Sequence, residues 1–351
     1  MGEKLRTCGL ICEYNPFHYG HAYQLSELKK RFDAVVCILG GNLTQRGQVA
    51  VADRYDRAKA ALAGGADLVV ELPLPWCCSS ASEFALGGVA IAKGLGVDAL
   101  AFSAESDEQT LRTALQKKEQ NAPELARLTR EEHLSYPKAV ERVCGIPLAD
   151  RPNDILGICY LSHLGDLPAC VLKRDPSFRS SREIRASETP ESLLPACSLP
   201  LLPFRDDETV YPFLRAAFIN GGVRDCAGMT DELFASLCEE ILVSGTFSSL
   251  RTAAASKQFT SSRVSRALWA SVLRIPASLP HTLPPYTLLL AANETGRQFL
   301  KEHKNDRVLQ VISRPGECQG DPVFALNLRA DRVLNSFFET VDDLVRKPFL
   351  P

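Results

Sequence analysis

The stretch Thr7–His21, TCGLICEYNPFHYGH, joins a short apolar run, a polar turn and the beginning of a helix. The apolar run Thr7–Cys12 predicts a buried strand, and a helix is predicted from about Tyr19 to Arg31. The next apolar run, Ala34–Leu39 (AVVCIL), is followed by two glycines and predicts a second buried strand. Strands that are apolar throughout are typical of parallel sheets covered by helices on both faces.

The same alternation of strand and helix continues through the first hundred residues. The predicted elements are a helix at Asp53–Ala63, capped by Asp53 and ended by Gly64–Gly65, a strand at Asp67–Leu72, a helix at Ser79–Lys93 and a strand at Val97–Phe102. Parallel strands that alternate with helices indicate an α/β fold. We therefore predict a Rossmann-like, doubly wound parallel sheet.

The rest of the chain is predicted to be mostly helical. Residues 106–163 have a helical pattern, and Ala169–Lys173 predicts a fifth strand. Pro190–Pro203 contains four prolines and predicts a linker or an extended crossing. Amphipathic helices follow, with one further strand at Tyr286–Ala291. A chain of 351 residues has room for two domains, which we place at 1–204 and at 205–351, the second mostly helical.

Composition excludes several classes of protein. The 40 basic and 42 acidic residues give a net charge of −2, and 45% of residues are hydrophobic. These values disfavour disorder, coiled coil and a protein that coats nucleic acid nonspecifically. The twelve cysteines include no CxxC pair, and neither a signal peptide nor a membrane-spanning run is recognisable. We expect a reduced, cytoplasmic protein without a structural metal site.

The turn after the first strand carries two histidines that predict a ligand site. In a doubly wound sheet, ligands collect at the carboxyl ends of the strands. His18 and His21 are three residues apart at a helix start, so both rings turn the same way. Gly20 between them leaves room for a phosphate, which the helix amides attract. The alternative is an ordinary strand-turn-helix with incidental or core-packed histidines.

Two weaker candidates lie further along the chain. Ser180 or Ser181 could begin a helix whose amides bind phosphate, with nearby arginines neutralising its charge. Ser-Ser-Arg is also a common helix start, so a purely structural role stays open. Arg46 follows the second strand at the same sheet edge and could reach the phosphates or a carboxylate, although a solvated loop arginine is an equal alternative.

Taken together, HxGH after the first strand and SSxxIR after the fifth resemble the nucleotidylyltransferase superfamily. The segments GLICEYNPFHYGH, GGNLTQRGQVAVADRYDRAKAAL, GGADLVVELP, RPNDILGICYL and SSREIR occur in that order. They resemble the bacterial tRNA(Met) cytidine acetate ligase family over about residues 7–185. SKQFTSSRVSRALW and LLLAANETGRQFLK resemble it more loosely. The nucleotide contacts that this resemblance implies are Leu10, Ile11, Cys12, Glu13, Tyr14, Asn15, Pro16, Phe17, His18, Tyr19, Gly20, His21, Ala22, Tyr23, Ser103, Asn153 and Arg174, with Ser180, Ser181 and Arg185 at the later helix.

The resemblance implies that residues 1–204 form a nucleotidylyltransferase-like domain that binds ATP and carries catalysis. It also implies a two-step reaction. Acetate and ATP give acetyl adenylate and pyrophosphate, and the acetyl group then passes to the exocyclic amine of the wobble cytidine of elongator tRNA(Met). His18 and His21 would offer hydrogen bonds or positive charge to the reacting phosphates, and Arg46 could assist. Mg²⁺ would be held mainly by the triphosphate. Ser103, where the family has glycine, and Arg182, which replaces a small hydroxyl residue, depart from the pattern.

A basic segment without acidic residues supports an RNA partner independently of the family. Between residues 241 and 293 there are five Lys or Arg residues and no Asp or Glu. On a helix from about Thr260, the arginines at 263, 266 and 274 share one face. We expect tRNA contacts at Lys257, Arg263, Arg266 and Arg274. A solvated basic face is the alternative, and a small-molecule adenylyltransferase or a non-catalytic RNA-binding relative stays open for the whole chain.

Overall fold

The computed structural model describes residues 5–148, 151–318, 320–338, 340 and 343–351, and its seven-stranded sheet organises that part of the chain. The strands are β1 Thr7–Cys12, β2 Ala34–Gly40, β3 Leu68–Leu72, β4 Ala99–Ala104, β5 Ala169–Lys173, β6 Tyr286–Ala292 and β7 Gln310–Ile312. Their order across the sheet is β5-β4-β1-β2-β3-β6-β7. Neighbours are parallel except for β3 and β6, which are antiparallel.

Helices cover both faces of the sheet. They are α1 Tyr19–Lys29, α2 Arg54–Ala63, α3 Ala81–Leu95, α4 Glu108–Gln120, α5 Ala122–Arg130, α6 Tyr136–Cys144, α7 Pro152–Leu164, α8 Ser181–Arg185, α9 Asp207–Gly221, α10 Asp231–Val243, α11 Phe247–Ala253, α12 Ser261–Leu273, α13 Glu294–Glu302 and α14 Pro322–Phe338. The predicted doubly wound α/β fold is confirmed. β2 and β3 are buried along their whole length, as expected of central parallel strands.

The proline-rich segment, predicted to be a linker or an extended crossing, is not extended throughout. It contains two short 3₁₀ helices, Pro190–Leu193 and Ala196–Leu201. Pro190 occupies the first turn of one of them. The fixed φ of proline suits that position, so prolines here begin turns instead of keeping the chain extended.

The sheet continues into the last third of the chain. The predicted strand at 286–291 is confirmed as β6, which pairs with β3 through Leu68 and Ala292. β7, which has only three residues, adds one more strand beyond it. Residues after 204 therefore contribute to the same sheet as residues before it, while the domain boundary near 204 stays a prediction.

β1 lies at the topological switch point of the sheet. Its neighbours are β4 on one side and β2 on the other, and both are parallel to it. The connections after β1 and β4 therefore diverge and leave a crevice outside the carboxyl ends of these strands. The turn with the two histidines opens into this crevice.

Candidate active site

The turn between β1 and α1 is anchored in the core by its aromatic residues. Tyr14 adopts a left-handed φ of 44° and is buried. Its ring meets that of Phe17 edge to face, with centroids 5.0 Å apart. The side-chain oxygen of Asn15 accepts a 2.6 Å hydrogen bond from the Val51 amide. These contacts fix the backbone that presents the histidines.

His18 and His21 cap their own helix. The Nδ1 of His18 accepts a hydrogen bond from the Gly20 amide at 3.1 Å, and the Nδ1 of His21 accepts one from the His18 amide at 3.3 Å. The two rings stack with centroids 3.7 Å apart. Because each Nδ1 accepts, the proton of each neutral ring is on Nε2. The turn thus presents two imidazole N–H donors.

Burial keeps both imidazoles neutral. Desolvation, reinforced by Arg174, lowers the pKa of His18 to about 4. The pKa of His21 is lowered well below its usual value by burial, His18 and Arg174. Of the two roles expected from the sequence, hydrogen bonding is therefore favoured over positive charge at neutral pH.

A cavity of about 1420 Å³ lies in the crevice at the switch point. Most of the residues implied by the family resemblance line it: Leu10, Ile11, Cys12, Glu13, Tyr14, Asn15, His18, Gly20, His21, Tyr23, Ser103, Asn153, Arg174, Ser180, Ser181 and Arg185. Arg46 also lines it. Pro16, Phe17, Tyr19 and Ala22 belong to the same turn and helix but are not among the lining residues. Phe17 is buried in the core.

Beside β4, the three later nucleotide candidates lie close together. Ser103 Oγ accepts a hydrogen bond from Gln24 at 2.9 Å. Glu105 accepts from Asn153 Nδ2 at 2.7 Å and lies 3.4 Å from the Arg174 guanidinium. Glu105 was not predicted from the sequence, although it directly follows the strand that ends in AFSA. It holds Asn153 and Arg174 at the rim of the cavity.

The segment Ser180–Arg185 contacts the histidine turn. Ser180 caps α8 by accepting from the Glu183 amide at 3.3 Å. Ser181 Oγ donates to the Pro16 carbonyl at 3.4 Å, and Arg185 donates to the Asn15 carbonyl. These contacts are with protein backbone, and all three side chains still line the cavity. Their role in phosphate binding stays a prediction.

Arg57 joins the ends of two strands and was not predicted from the sequence. Its buried guanidinium donates to the carbonyls of Glu13 at 2.6 Å, Gly40 at 3.0 Å and Ala52 at 3.0 Å. Burial lowers its pKa to about 10, so it stays charged at neutral pH. Its only sequence signal is its place within the motif-bearing segment DRYDRAKAAL.

The predicted basic stripe is divided by the structure. Arg263 and Arg266 on α12 line the cavity, and Arg266 Nη1 donates to the Gln45 carbonyl at 3.0 Å. Lys257 and Arg274 are exposed and are not among the described lining residues. The expectation that Arg274 continues the helical face is wrong, because α12 ends at Leu273 and Arg274 adopts a left-handed φ of 53°.

All twelve cysteines belong to the described residues, and each is a free thiol. Burial raises the pKa of the Cys159 thiol to about 11, so this group stays protonated at neutral pH. Within the described ranges, no cluster of three or more His, Cys, Asp or Glu side chains is arranged to hold a metal ion. No helix in those ranges has the length and apolar character needed to cross a membrane.

Comparisons with known proteins agree with this fold. A tRNA(Met) cytidine acetate ligase of Limosilactobacillus reuteri is 27% identical over 99% of this chain and 100% of the relative. The tRNA(Met) cytidine acetate ligase of Syntrophotalea carbinolica is 29% identical over 88% of this chain and 85% of the relative. The resemblance inferred from the motifs is thereby confirmed.

A solved structure shares the whole architecture. Thermotoga maritima TmcAL, in a crystal structure with alpha-thio ATP, superimposes with a TM-score of 0.83 at 24% identity, over 98% of this chain and 99% of that one. The family model described as HIGH Nucleotidyl Transferase matches residues 5–346. This chain belongs to the HIGH nucleotidyl transferase family.

Proposed function

We propose that this chain is an ATP-dependent ligase that activates acetate as acetyl adenylate and transfers the acetyl group to the wobble cytidine of elongator tRNA(Met). The observation that carries this proposal is the pair of neutral imidazole N–H donors in a cavity at the switch point. The relatives are tRNA(Met) cytidine acetate ligases, which supports tRNA(Met) cytidine as the acceptor. The nucleotide analogue in the Thermotoga maritima structure supports ATP as substrate.

In the first step, a carboxylate oxygen of acetate attacks the α-phosphorus of ATP. The bond from that phosphorus to the bridging oxygen breaks, and pyrophosphate leaves. Negative charge grows on the α-phosphoryl oxygens and on the leaving group. The Nε2–H groups of His18 and His21 would donate to these oxygens without giving up a proton, because fixed donors stabilise charge as it develops. Arg46 and Arg174 would add positive charge at the rim.

In the second step, the exocyclic nitrogen of cytidine attacks the acetyl carbonyl carbon. The bond from that carbon to the phosphate oxygen breaks, AMP leaves, and the nitrogen loses one proton to solvent. No covalent bond to the protein is required. The side chains of Lys257, Arg263, Arg266 and Arg274 are the proposed contacts to tRNA.

Mg²⁺ fits this cavity as an ion that arrives with the nucleotide. The described residues offer no three-ligand cluster, and Mg²⁺ commonly keeps its waters and binds phosphate oxygens. When bound, it would neutralise charge on the triphosphate. The donors of the chain act on the same phosphates independently of it.

The test measures the two steps separately. Acetate-dependent exchange of labelled pyrophosphate into ATP reports the first step, and transfer of labelled acetate to tRNA reports the second. His21→Ala should lower the exchange about 100-fold, as expected for loss of a preorganised donor. His133→Asn, which changes an exposed histidine on the loop before α6, serves as the matched control.

The alternatives give different results in the same assay. Pyrophosphate release that ignores acetate and follows a small nucleotide acceptor would identify a small-molecule adenylyltransferase. Binding of tRNA without any turnover would identify a non-catalytic RNA-binding relative. Either result would contradict the proposed ligase.

A further inference from the structure

The end of β1 divides the cavity into two parts. β4 lies on one side of β1 and β2 lies on the other. We define the β2 half of the cavity by five lining residues: Gln45, Arg46, Cys78, Arg263 and Arg266. A reaction that joins two substrates at one centre requires a place for each of them, and ligands in such sheets straddle the switch point.

The β2 half contains sheltered cations without carboxylate partners. In the described residues, neither Arg263 nor Arg266 has an acidic side chain within ion-pair distance. Arg266 donates through Nη1 to a backbone carbonyl, and Arg263 donates through Nε to the Gly228 carbonyl at 3.3 Å. The guanidinium of Arg263 also lies 5.0 Å from the centroid of the Phe259 ring. Both arginines retain further N–H groups for a ligand.

The nearby carboxylate of Glu83 is already engaged. Its Oε2 accepts a hydrogen bond from the Ser80 amide at 3.0 Å, which completes the cap of α3. Its Oε1 lies 3.4 Å from Nδ1 of His281. Among the described residues, Glu83 forms no hydrogen bond or ion pair with Arg263 or Arg266, so the remaining N–H groups of both arginines are open to a bound anion.

The arginine helix is held in fixed register with the end of β1. Gln45 links them through its backbone. Its N–H donates to Glu13 Oε1 at 2.6 Å, and its carbonyl oxygen accepts a hydrogen bond from Arg266. At Gly47, a Cβ would lie 2.5 Å from the Arg266 amide nitrogen. The loop after β2 thus packs directly on α12 and places the two arginines beside the end of β1.

We propose that the β2 half holds the acceptor as an unpaired RNA nucleotide, with Arg263 and Arg266 bound to the phosphates that flank it. This inference rests on the proposed function and adds the half of the cavity that holds the acceptor and the two side chains that bind its flanking phosphates. Guanidinium groups bind phosphate through paired hydrogen bonds. A base must leave its stack before an enclosed site can reach its exocyclic amine, and RNA is read mainly in single-stranded loops.

The experiment uses the full chain, ATP, labelled acetate and an isolated anticodon stem-loop that carries the target cytidine. The substrate used for comparison is the same RNA with its loop paired to a complementary strand. Arg263→Ala should lower kcat/KM for transfer to the stem-loop about tenfold and reduce the salt slope by about one phosphate contact. Arg266→Lys keeps a charge but loses the paired geometry and should also lower transfer.

Pyrophosphate exchange is measured on every variant, so that the ratio of transfer to exchange isolates the acceptor step. The control is Lys304→Ala, which removes an exposed charge just beyond α13. We expect the ratio to fall for both arginine variants and not for the control, and the paired RNA to be a poor acceptor. The inference would be overturned if Arg263→Ala and the wild type had equal ratios of transfer to exchange, or if acetyl transfer were equally fast on paired and unpaired RNA. Neither result would contradict the proposed function. Absence of acetate-dependent exchange in the wild type would instead overturn the proposed function and this inference with it.

Discussion

At the scale of single residues, the histidine turn determines which imidazole nitrogen faces the substrate. In His18 and in His21, Nδ1 accepts a hydrogen bond from a backbone amide. The hydrogen bonds that begin α1 therefore leave Nε2–H of each ring available in the cavity. Protonation of Nδ1 would remove a helix cap and place charge in a sheltered site. Local folding and the proposed chemistry therefore require the same neutral tautomer.

The lowered pKa of His18 predicts a dependence of stability on pH. Its pKa is about 4 in the folded chain and near 6.5 when unfolded. The unfolded chain then binds more protons between these values, so stability falls as pH falls through this window. His18→Asn keeps a capping residue without a titrating group. Between pH 7 and pH 5, the unfolding free energy of the wild type should fall by about 2 kcal/mol more than that of the variant. Urea denaturation at both pH values measures this difference. A constant difference would contradict the proposed burial of a neutral ring.

Arg57 is a second residue whose contacts predict a measurable effect. Lysine at this position cannot reach the carbonyls of Glu13, Gly40 and Ala52 together, because its ammonium is a single point on a flexible stem. Arg57→Lys should cost about 2–4 kcal/mol of unfolding free energy, since buried carbonyls lose their donors. Pyrophosphate exchange should fall with it. Lys59→Ala, on the exposed face of the same helix, is the control and should change stability by less than about 0.5 kcal/mol.

At the scale of elements, the loop after β2 connects the sheet to α12. Gly47 has a φ of +71°, and an added Cβ would meet the backbone of Ser265 and Arg266 at 2.8 and 2.5 Å. Glycine is thus required here both for conformation and for space. The contact explains how a helix more than two hundred residues away in sequence comes to line the same cavity as the histidines.

Gly47→Ala separates these two requirements when it is compared with Gly145→Ala. Both glycines have a φ of +71°, but a Cβ at Gly145 would meet only Lys117 Nζ, at 3.9 Å. Each variant should lose about 1 kcal/mol from backbone strain. Gly47→Ala should lose more and should also lower acetyl transfer, because α12 must move away. Equal losses of stability in thermal unfolding, with equal transfer rates, would show that this contact does not position α12.

At the scale of the whole molecule, local signals predicted the strands and the histidine turn, whereas contacts between distant segments escaped prediction. β1 and β5 were predicted with their observed limits because continuous apolar runs mark buried strands. β7 was missed because three residues leave no recognisable period.

The missed site residues share one physical reason. Glu105 contacts Asn153 and Arg174, which are 48 and 69 positions away in sequence. Arg57 reaches Glu13 across 44 positions. No local pattern records such pairs. Arg274 was predicted to lie within the helix because helical spacing cannot show that a left-handed residue ends α12. By contrast, His18 and His21 contact each other within one turn, so their spacing alone carried the prediction.

The proposed reaction joins acetate to a tRNA cytidine in this cavity and consumes ATP. The most direct measurement is nucleoside mass spectrometry of elongator tRNA(Met) after incubation with the purified chain, ATP and isotopically labelled acetate. We predict labelled acetylcytidine at the wobble position with the wild type, a strong loss with His21→Ala, and none without ATP. The proposed ligase would be contradicted if cytidine stayed unmodified with wild-type protein that is active in pyrophosphate exchange. Labelling by His21→Ala equal to that by the wild type would also contradict it.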